Sequence, residues 1–233
     1  MKRIYFKGLL KVAFLFSKTL SYYLQSLVHK DRVLELKQKW AQNSLAEFGY
    51  EFIEKGPRPN SLKGMILVGN HISFLDIMVL MSVSPKITFV AKKEVRNWPI
   101  IGISAARVGT IFVDRSPSAD RKKVRADMAQ QIQQQGAYVT VFPSGTTTLD
   151  ENLPWKKGIF EISQEHQVPV QAFKLSYEPL RESAYIDDDD LITQMMIIFK
   201  IKNKKVTLTW LETFEITNPE ISAEKIRSYV QKA

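Results

Sequence analysis

At 233 residues the chain suits one domain of ordinary size, with or without an appendage, and is long enough to bury a substantial core. It has no cysteine, which excludes disulfides and thiolate metal sites. Its three histidines, His29, His71 and His166, argue against a polyhistidine metal centre. A net charge of +9 and an isoelectric point near 9.5 point to anionic partners: nucleic acid, an anionic membrane surface or phosphorylated substrates.

Read as a helix, Lys2–Val28 sets Leu9, Phe16, Leu20 and Leu27 on one stripe and Lys7, Lys11 and Lys18 on the opposite side. The lysines interrupt every run long enough to cross a bilayer, which takes about 20 apolar residues, and they break the apolar core of a signal peptide. A basic amphipathic helix of this kind suits the headgroup plane of a membrane, with Lys7, Lys11, Phe16, Lys18 and Leu20 as contacts. Its apolar side equally suits packing on the rest of the domain. Residues 31–48 read as a second helix, amphipathic through Val33, Leu36, Trp40 and Leu45. Residues 1–50 then form a helical hairpin at the membrane interface, ahead of a main domain at 51–233. A turn at 56–60 leads into that domain.

Residues 65–68 read as a short buried strand, Gly69-Asn70 break it, and 72–81 have the apolar spacing of a helix. Five helical residues turn through about 500°, so a fully helical His71 and Asp76 would point roughly 140° apart. They meet only if His71 stands on the turn before the helix. There the imidazole can act as a general base while Asp76 fixes its tautomer and stabilises the imidazolium. The plainer alternative is a capping histidine, with Asp76 complementing the helix dipole.

Strands are expected at 87–91, 110–113, 137–142 and 168–176, alternating with helices near 92–102, at 117–135 and at 156–166. The alternation predicts an α/β domain with a largely parallel central sheet flanked by helices. The acidic run 187–190 lacks the spacing of a calcium loop and reads as solvated surface. Residues 195–201 and 206–214 read as a closing hairpin, and Ser222 as the cap of a last helix.

Three strand ends carry chemistry. Asn70-His71 supplies a base with its acid. Asp114-Arg115 supplies a positive charge able to fork onto phosphate, unless Arg115 merely pairs with Asp114. Residues 143–148 form a small-residue loop able to hold an anion or an oxyanion, or an ordinary turn.

The segment from Asn70 to Asp76 matches an NHxSxxD block, and Gly109-Thr110-Ile111-Phe112-Val113-Asp114-Arg115 a second block. Phe142-Pro143-Ser144-Gly145-Thr146 is similar to FPEGT, and Val168-Pro169-Val170 to a proline-containing fourth block. In this order the segments resemble the glycerophospholipid acyltransferase family, which includes the 1-acylglycerol-3-phosphate (lysophosphatidate) acyltransferases. The N-terminal pair also resembles the membrane-facing two-helix element of some bacterial members.

The resemblance implies transfer of a fatty acyl group to a lysolipid hydroxyl, with acyl-CoA or acyl-carrier protein as donor substrate and no cofactor or metal. His71 would be the base and Asp76 its orienting acid. Arg115 would hold the acceptor headgroup, and Ser144, Gly145, Thr146 and Thr147 would shape the site. Ser73 reads as a structural hydroxyl in preference to an acyl-enzyme nucleophile, and Lys156 or Lys157 could meet phosphate or water. The implied location is peripheral, on the cytoplasmic face of a bacterial inner membrane, with no nucleic-acid partner. Ser144 and Thr147 stand where the family commonly has glutamate and often arginine. This departure leaves open another acceptor, such as lyso-ornithine lipid, or a non-catalytic lipid-binding relative. A nucleic-acid binder rests only on charge, with basic clusters at 121–123 and 202–205.

Overall fold

A computed structural model describes residues 2–114, 121–186 and 188–233. Helix α1 (Lys2–Val28) and helix α2 (Val33–Phe48) form the expected pair, joined by a single turn. The buried face of α1 is Gly8, Val12, Leu15, Thr19 and Ser26, a helical spacing that keeps one side on the domain. Thr19 accepts a hydrogen bond from the Trp40 indole at 3.0 Å, which ties α1 to α2. Gly49, at φ +75°, ends α2 in the left-handed conformation and turns the chain into the sheet.

Two of the expected membrane contacts belong to the protein instead. Phe16 packs against the core, and the Lys18 ammonium pairs with Glu47 at 2.9 Å. The Lys11 ammonium lies over the Phe199 ring at 5.2 Å, while Lys7 and Leu20 remain exposed. The exposed apolar side of α1 is Phe6, Leu9, Leu10, Phe14, Leu24 and Leu27 together with Leu20. Phe16 turns towards the domain because the domain-facing stripe is centred about a quarter-turn from the stripe of Leu9, Leu20 and Leu27.

Seven strands are described: β1 (Tyr50–Lys55), β2 (Met65–Gly69), β3 (Ile87–Lys92), β4 (Ile111–Val113), β5 (Tyr138–Val141), β6 (Val170–Glu178) and β7 (Lys204–Phe214). Their order in the sheet is β1-β7-β6-β2-β5-β3-β4, parallel throughout except for the β6–β7 pair. β2 lies inside the sheet and is buried along its whole length, which explains its unbroken apolar run.

The remaining helices are α3 (Leu75–Val83), α4 (Ile101–Arg107), α5 (Arg121–Gln135), α6 (Gly158–His166), α7 (Leu180–Ser183), α8 (Leu191–Ile198) and α9 (Pro219–Lys232). Alternate strand residues feed two cores. Leu67, Phe89 and Leu175 pack with Val12 and Leu15 of α1, Leu45 and Phe48 of α2, and Leu75 and Val79 of α3. Ile66, Val68 and Val139 pack on the other side with Ile132 of α5, Phe160 of α6 and Ile226 of α9.

Three expectations need correction, and one strand is added. The expected closing hairpin is a helix followed by a strand: Asp190 accepts from the Thr193 amide and caps α8, which lays Met195 and Ile198 into the core. β7 then runs between β1 and β6. Residues 50–55, for which the sequence pattern predicts no strand, form β1 parallel to β7. The last helix is capped by Asn218, four residues before Ser222, with Pro219 at its first position. The helix expected from 72 begins only at Leu75, for a reason that lies in the site itself.

Candidate active site

β2 ends in Gly69-Asn70. A side chain at Gly69 would place Cβ 2.4 Å from the Phe173 ring and 2.5 Å from the Phe173 carbonyl, so β2 and β6 can close only around glycine. The Asn70 amide both donates to the Leu175 carbonyl and accepts from the Leu175 amide, each at 2.8 Å. The side chain thus extends the β2–β6 ladder by one step and fixes where the next residue emerges. That residue is His71.

The loop that follows is held by Asp76. Its Oδ2 accepts from the amides of Ile72 at 2.7 Å and Ser73 at 3.0 Å, and lies 2.7 Å from His71 Nδ1. These bonds to backbone amides keep residues 71–74 out of the helix, so α3 starts late and His71 stands on the turn, within reach of its acid. Tyr177, on β6, donates its phenolic hydrogen to Asp76 Oδ1 at 2.6 Å. Asp76 is fully buried with both oxygens engaged. The environment and the adjacent negative carboxylate hold the Tyr177 phenol well above its ordinary range, so it stays a donor. With Nδ1 committed to Asp76, acceptance of a proton falls to Nε2 of the part-exposed imidazole. Ser73 is fully buried, consistent with a structural hydroxyl.

The third-block loop closes over this histidine. Phe142, at the end of β5, stacks flat on the His71 ring, with centroids 3.9 Å apart and planes 8° from parallel. The Thr148 amide donates to the His71 carbonyl at 2.8 Å, so the loop is pinned to the residue it covers. Gly145 takes φ +80°, and its amide closes a turn onto the Phe142 carbonyl at 3.0 Å. Ser144 is buried and donates to the Thr146 carbonyl at 3.0 Å; its hydroxyl holds the loop's shape from inside. Thr146 is exposed and Thr147 half-buried. Arg115 lies outside the described residues, while its neighbour Asp114 pairs with Lys93 at 2.6 Å.

Two contributors have no place in the short motifs. Tyr177 is one, and its signal is only its position near the end of β6. Phe142 belongs to the third block, but its stacking on His71 is not readable from the motif. Glu151 is the other contributor: a buried carboxylate in the same loop that accepts from the Trp155 indole. Burial holds the Glu151 carboxyl above the usual range, while Trp155, His71 and Arg227 act the other way. Among the described residues no group of acidic and histidine side chains has the arrangement of a metal site.

Comparison with known proteins agrees with this geometry. A family model described as Acyltransferase matches residues 49–176. A lyso-ornithine lipid O-acyltransferase of Pseudomonas aeruginosa is 32% identical over 182 residues, covering 76% of this chain and 69% of that protein. A 1-acyl-sn-glycerol-3-phosphate acyltransferase of Neisseria gonorrhoeae is 30% identical over 122 residues, 52% of this chain. That match spans about half of the neisserial protein, 47% of its length. The crystal structure of the 1-acyl-sn-glycerophosphate acyltransferase from Thermotoga maritima shares the fold, with a TM-score of 0.72 over 98% of this chain and 95% of that one at 17% identity. A matched model over more than half the chain and the Pseudomonas relative over three quarters of it lead to one assignment: the chain belongs to the acyltransferase family.

Proposed function

We propose that the protein is an O-acyltransferase that moves a fatty acyl group from an acyl thioester to the free hydroxyl of a lysolipid, with 1-acylglycerol-3-phosphate as acceptor and phosphatidate as product. The observation that carries this reading is the His71–Asp76–Tyr177 chain at the open end of β2. His71 Nε2 takes the proton of the acceptor hydroxyl as its oxygen attacks the thioester carbonyl. The tetrahedral intermediate collapses with cleavage of the carbon–sulfur bond, and the imidazolium returns the proton to the departing thiolate. Asp76 keeps the imidazole in the right tautomer throughout. Arg115 is assigned to the acceptor headgroup, and the Gly145–Thr147 backbone to the oxyanion.

The donor is acyl-CoA or acyl-carrier protein, with no separate cofactor. The exposed apolar side of α1, with Lys7 beside it, rests in the headgroup layer and brings the domain to its lipid substrate. Among the described residues no helix is long and apolar enough to cross a membrane. The location that fits is the donor-bearing cytoplasmic face of a bacterial inner membrane.

A lyso-ornithine lipid acceptor is a second reading, favoured by the longer match to the Pseudomonas relative and by Thr147 in place of a basic residue. The purified protein, given acyl-CoA and acyl-carrier protein with both acceptors in mixed micelles, tests both readings. His71→Ala is expected to cut transfer by about 10³-fold or more while the protein still folds and melts cooperatively, at a somewhat lower temperature. Full transfer by folded His71→Ala protein overturns the mechanism, and acylation of lyso-ornithine lipid alone replaces the first acceptor with the second.

A further inference from the structure

The chain between β3 and β4 carries a surface that the reaction does not use. Residues 98–106, WPIIGISAA, have no charged side chain, in a protein where 24% of residues are charged. Soluble surfaces rarely keep such a run exposed. Yet Trp98 is 38% exposed and Ile103 47%, with Pro99 and Ala106 exposed beside them. Ile103 and Ala106 are three apart on α4 and share its outer face.

The tip is held rigidly. Ile100 takes φ +63° and ψ −49°, and the Ile101 amide reaches the Pro99 carbonyl at 2.6 Å. This is a tight three-residue turn centred on a β-branched residue, a conformation that persists only when its surroundings enforce it. They do so through Gly102, whose missing side chain lets the Arg96 carbonyl approach to 2.0 Å from where Cβ would stand.

Its position is informative. β2, β5 and β3 run parallel, so the tip leaves the same edge of the sheet as His71. Arg107, at the end of α4, donates to the Ser26 carbonyl in the last turns of α1 at 2.7 Å, joining the tip to the helix whose outer side exposes Leu24 and Leu27. At its base Lys92, Lys93 and Arg96 are exposed; Glu94 stands among them and Asp114 pairs with Lys93 at 2.6 Å, which leaves the base net positive. An apolar tip bearing a tryptophan, above a basic collar and adjoining an apolar helix, has the composition of a membrane-interface anchor.

We propose that Trp98–Ile103 is a second membrane contact, which inserts into an anionic bilayer beside α1 and holds the His71 edge of the sheet against the lipid surface. The inference rests on the membrane reading of α1 and adds to it a point of attachment at the active-site edge.

The protein carries its own probe. Trp155 and Trp210 are buried and Trp40 is half-buried and bonded to Thr19, which leaves Trp98 as the exposed tryptophan. The full chain is mixed with phosphatidylglycerol–phosphatidylethanolamine vesicles whose acyl chains carry bromine, and emission is compared with unbrominated vesicles. Bromine-dependent quenching is expected in the wild type and lost in Trp98→Phe, and Ile103→Ser is expected to weaken vesicle partitioning by about five-fold. Vesicle-bound protein with equal quenching in wild type and Trp98→Phe overturns the tip contact and leaves the α1 reading standing. Wild-type protein that stays unbound at low salt overturns the α1 reading and the tip with it. Leu20→Glu on α1, measured in parallel, separates the helix's contribution from that of the tip.

Discussion

Replacing Tyr177 by phenylalanine removes a single oxygen and leaves the ring edge-on to Tyr50, 5.9 Å between centroids and 82° between planes. That oxygen donates the hydrogen bond to Asp76 Oδ1, while Oδ2 keeps its contacts with Ile72, Ser73 and His71. Oδ1 then sits in a fully buried position facing a hydrocarbon ring. A hydrogen bond to a charged group contributes roughly 1.5–3 kcal/mol, so a loss of about 2 kcal/mol of stability at neutral pH is expected. For a chain of this size that lowers Tm by about 4–8 °C. Freed on one side, the carboxylate can turn about its own axis and carry the imidazole with it. Tyr177 lies behind Asp76 and away from the acceptor, so kcat should fall by about ten-fold with KM little changed. Thermal melts and steady-state transfer kinetics on the same preparation measure both. An unchanged Tm with an unchanged kcat would refute a positioning role for Tyr177. A loss of kcat as deep as that of Asp76→Ala would refute the assignment of the main orienting role to Oδ2.

Three further substitutions probe the surroundings. Gly69→Ala should cost about 3 kcal/mol or more, read in urea melts, because its Cβ would overlap both the ring and the backbone of Phe173. Lys37 is buried with its ammonium 2.6 Å from the Ile87 carbonyl, and burial lowers its pKa to about 8. The unfolded chain therefore binds more protons above that pH, so wild-type stability should climb from pH 8 towards 10.5. Charging Lys37 in place costs on the order of 3 kcal/mol, against roughly 1.5–3 kcal/mol for its charge-assisted hydrogen bond, so Lys37→Met should lose little or no stability at pH 7 and lose part of the climb. Glu151 shows the opposite linkage: burial holds its folded carboxyl above its ordinary value of 4.5, so its contribution falls as pH rises from there through the folded pKa. Glu151→Gln keeps an acceptor for Trp155, so it should gain stability above that window and none below it, as followed by Tm against pH.

The parts of the fold legible in the sequence are those where a local pattern and its tertiary use coincide. β2 is apolar along its length because it is covered on both sides, and the five-residue interval between His71 and Asp76 closes within one turn. β1 gives no clear strand signal because its sequence, YEFIEK, carries charges along a strand that lies at the sheet's edge and is partly exposed. α8, LITQMMII, has the β-branched, apolar composition of a strand; Asp190 at its cap and the core contacts of Met195 and Ile198 decide for helix. Asn218-Pro219 carries a helix-start signal at the cap itself, whereas Ser222 lies inside the first turn of α9. Tyr177 stands 101 residues from Asp76, and only the register that sets Gly69 beside Phe173 brings it under the carboxylate. No spacing along the chain encodes that.

The same register gives α1 its bearing on the chemistry. Lys11 rests on Phe199, Phe199 stacks on Phe48 at 4.7 Å, Phe48 meets Phe74 at 5.9 Å, and Phe74 meets Tyr185 at 6.0 Å. The Tyr185 amide donates to the Ile72 carbonyl at 2.9 Å, next to the catalytic candidate. Val12 and Leu15 of α1 lie in the same core as Ile72 and Leu75, and Phe142, on which His71 stacks, packs against it. Close-packed cores transmit position because they have little room to deform. Under the proposed membrane contact, the outer face of α1 would therefore set the orientation of His71 through its inner one. The lysines that kept the helix from reading as a membrane span divide accordingly: Lys11 and Lys18 bind α1 to the domain, and Lys7 remains exposed.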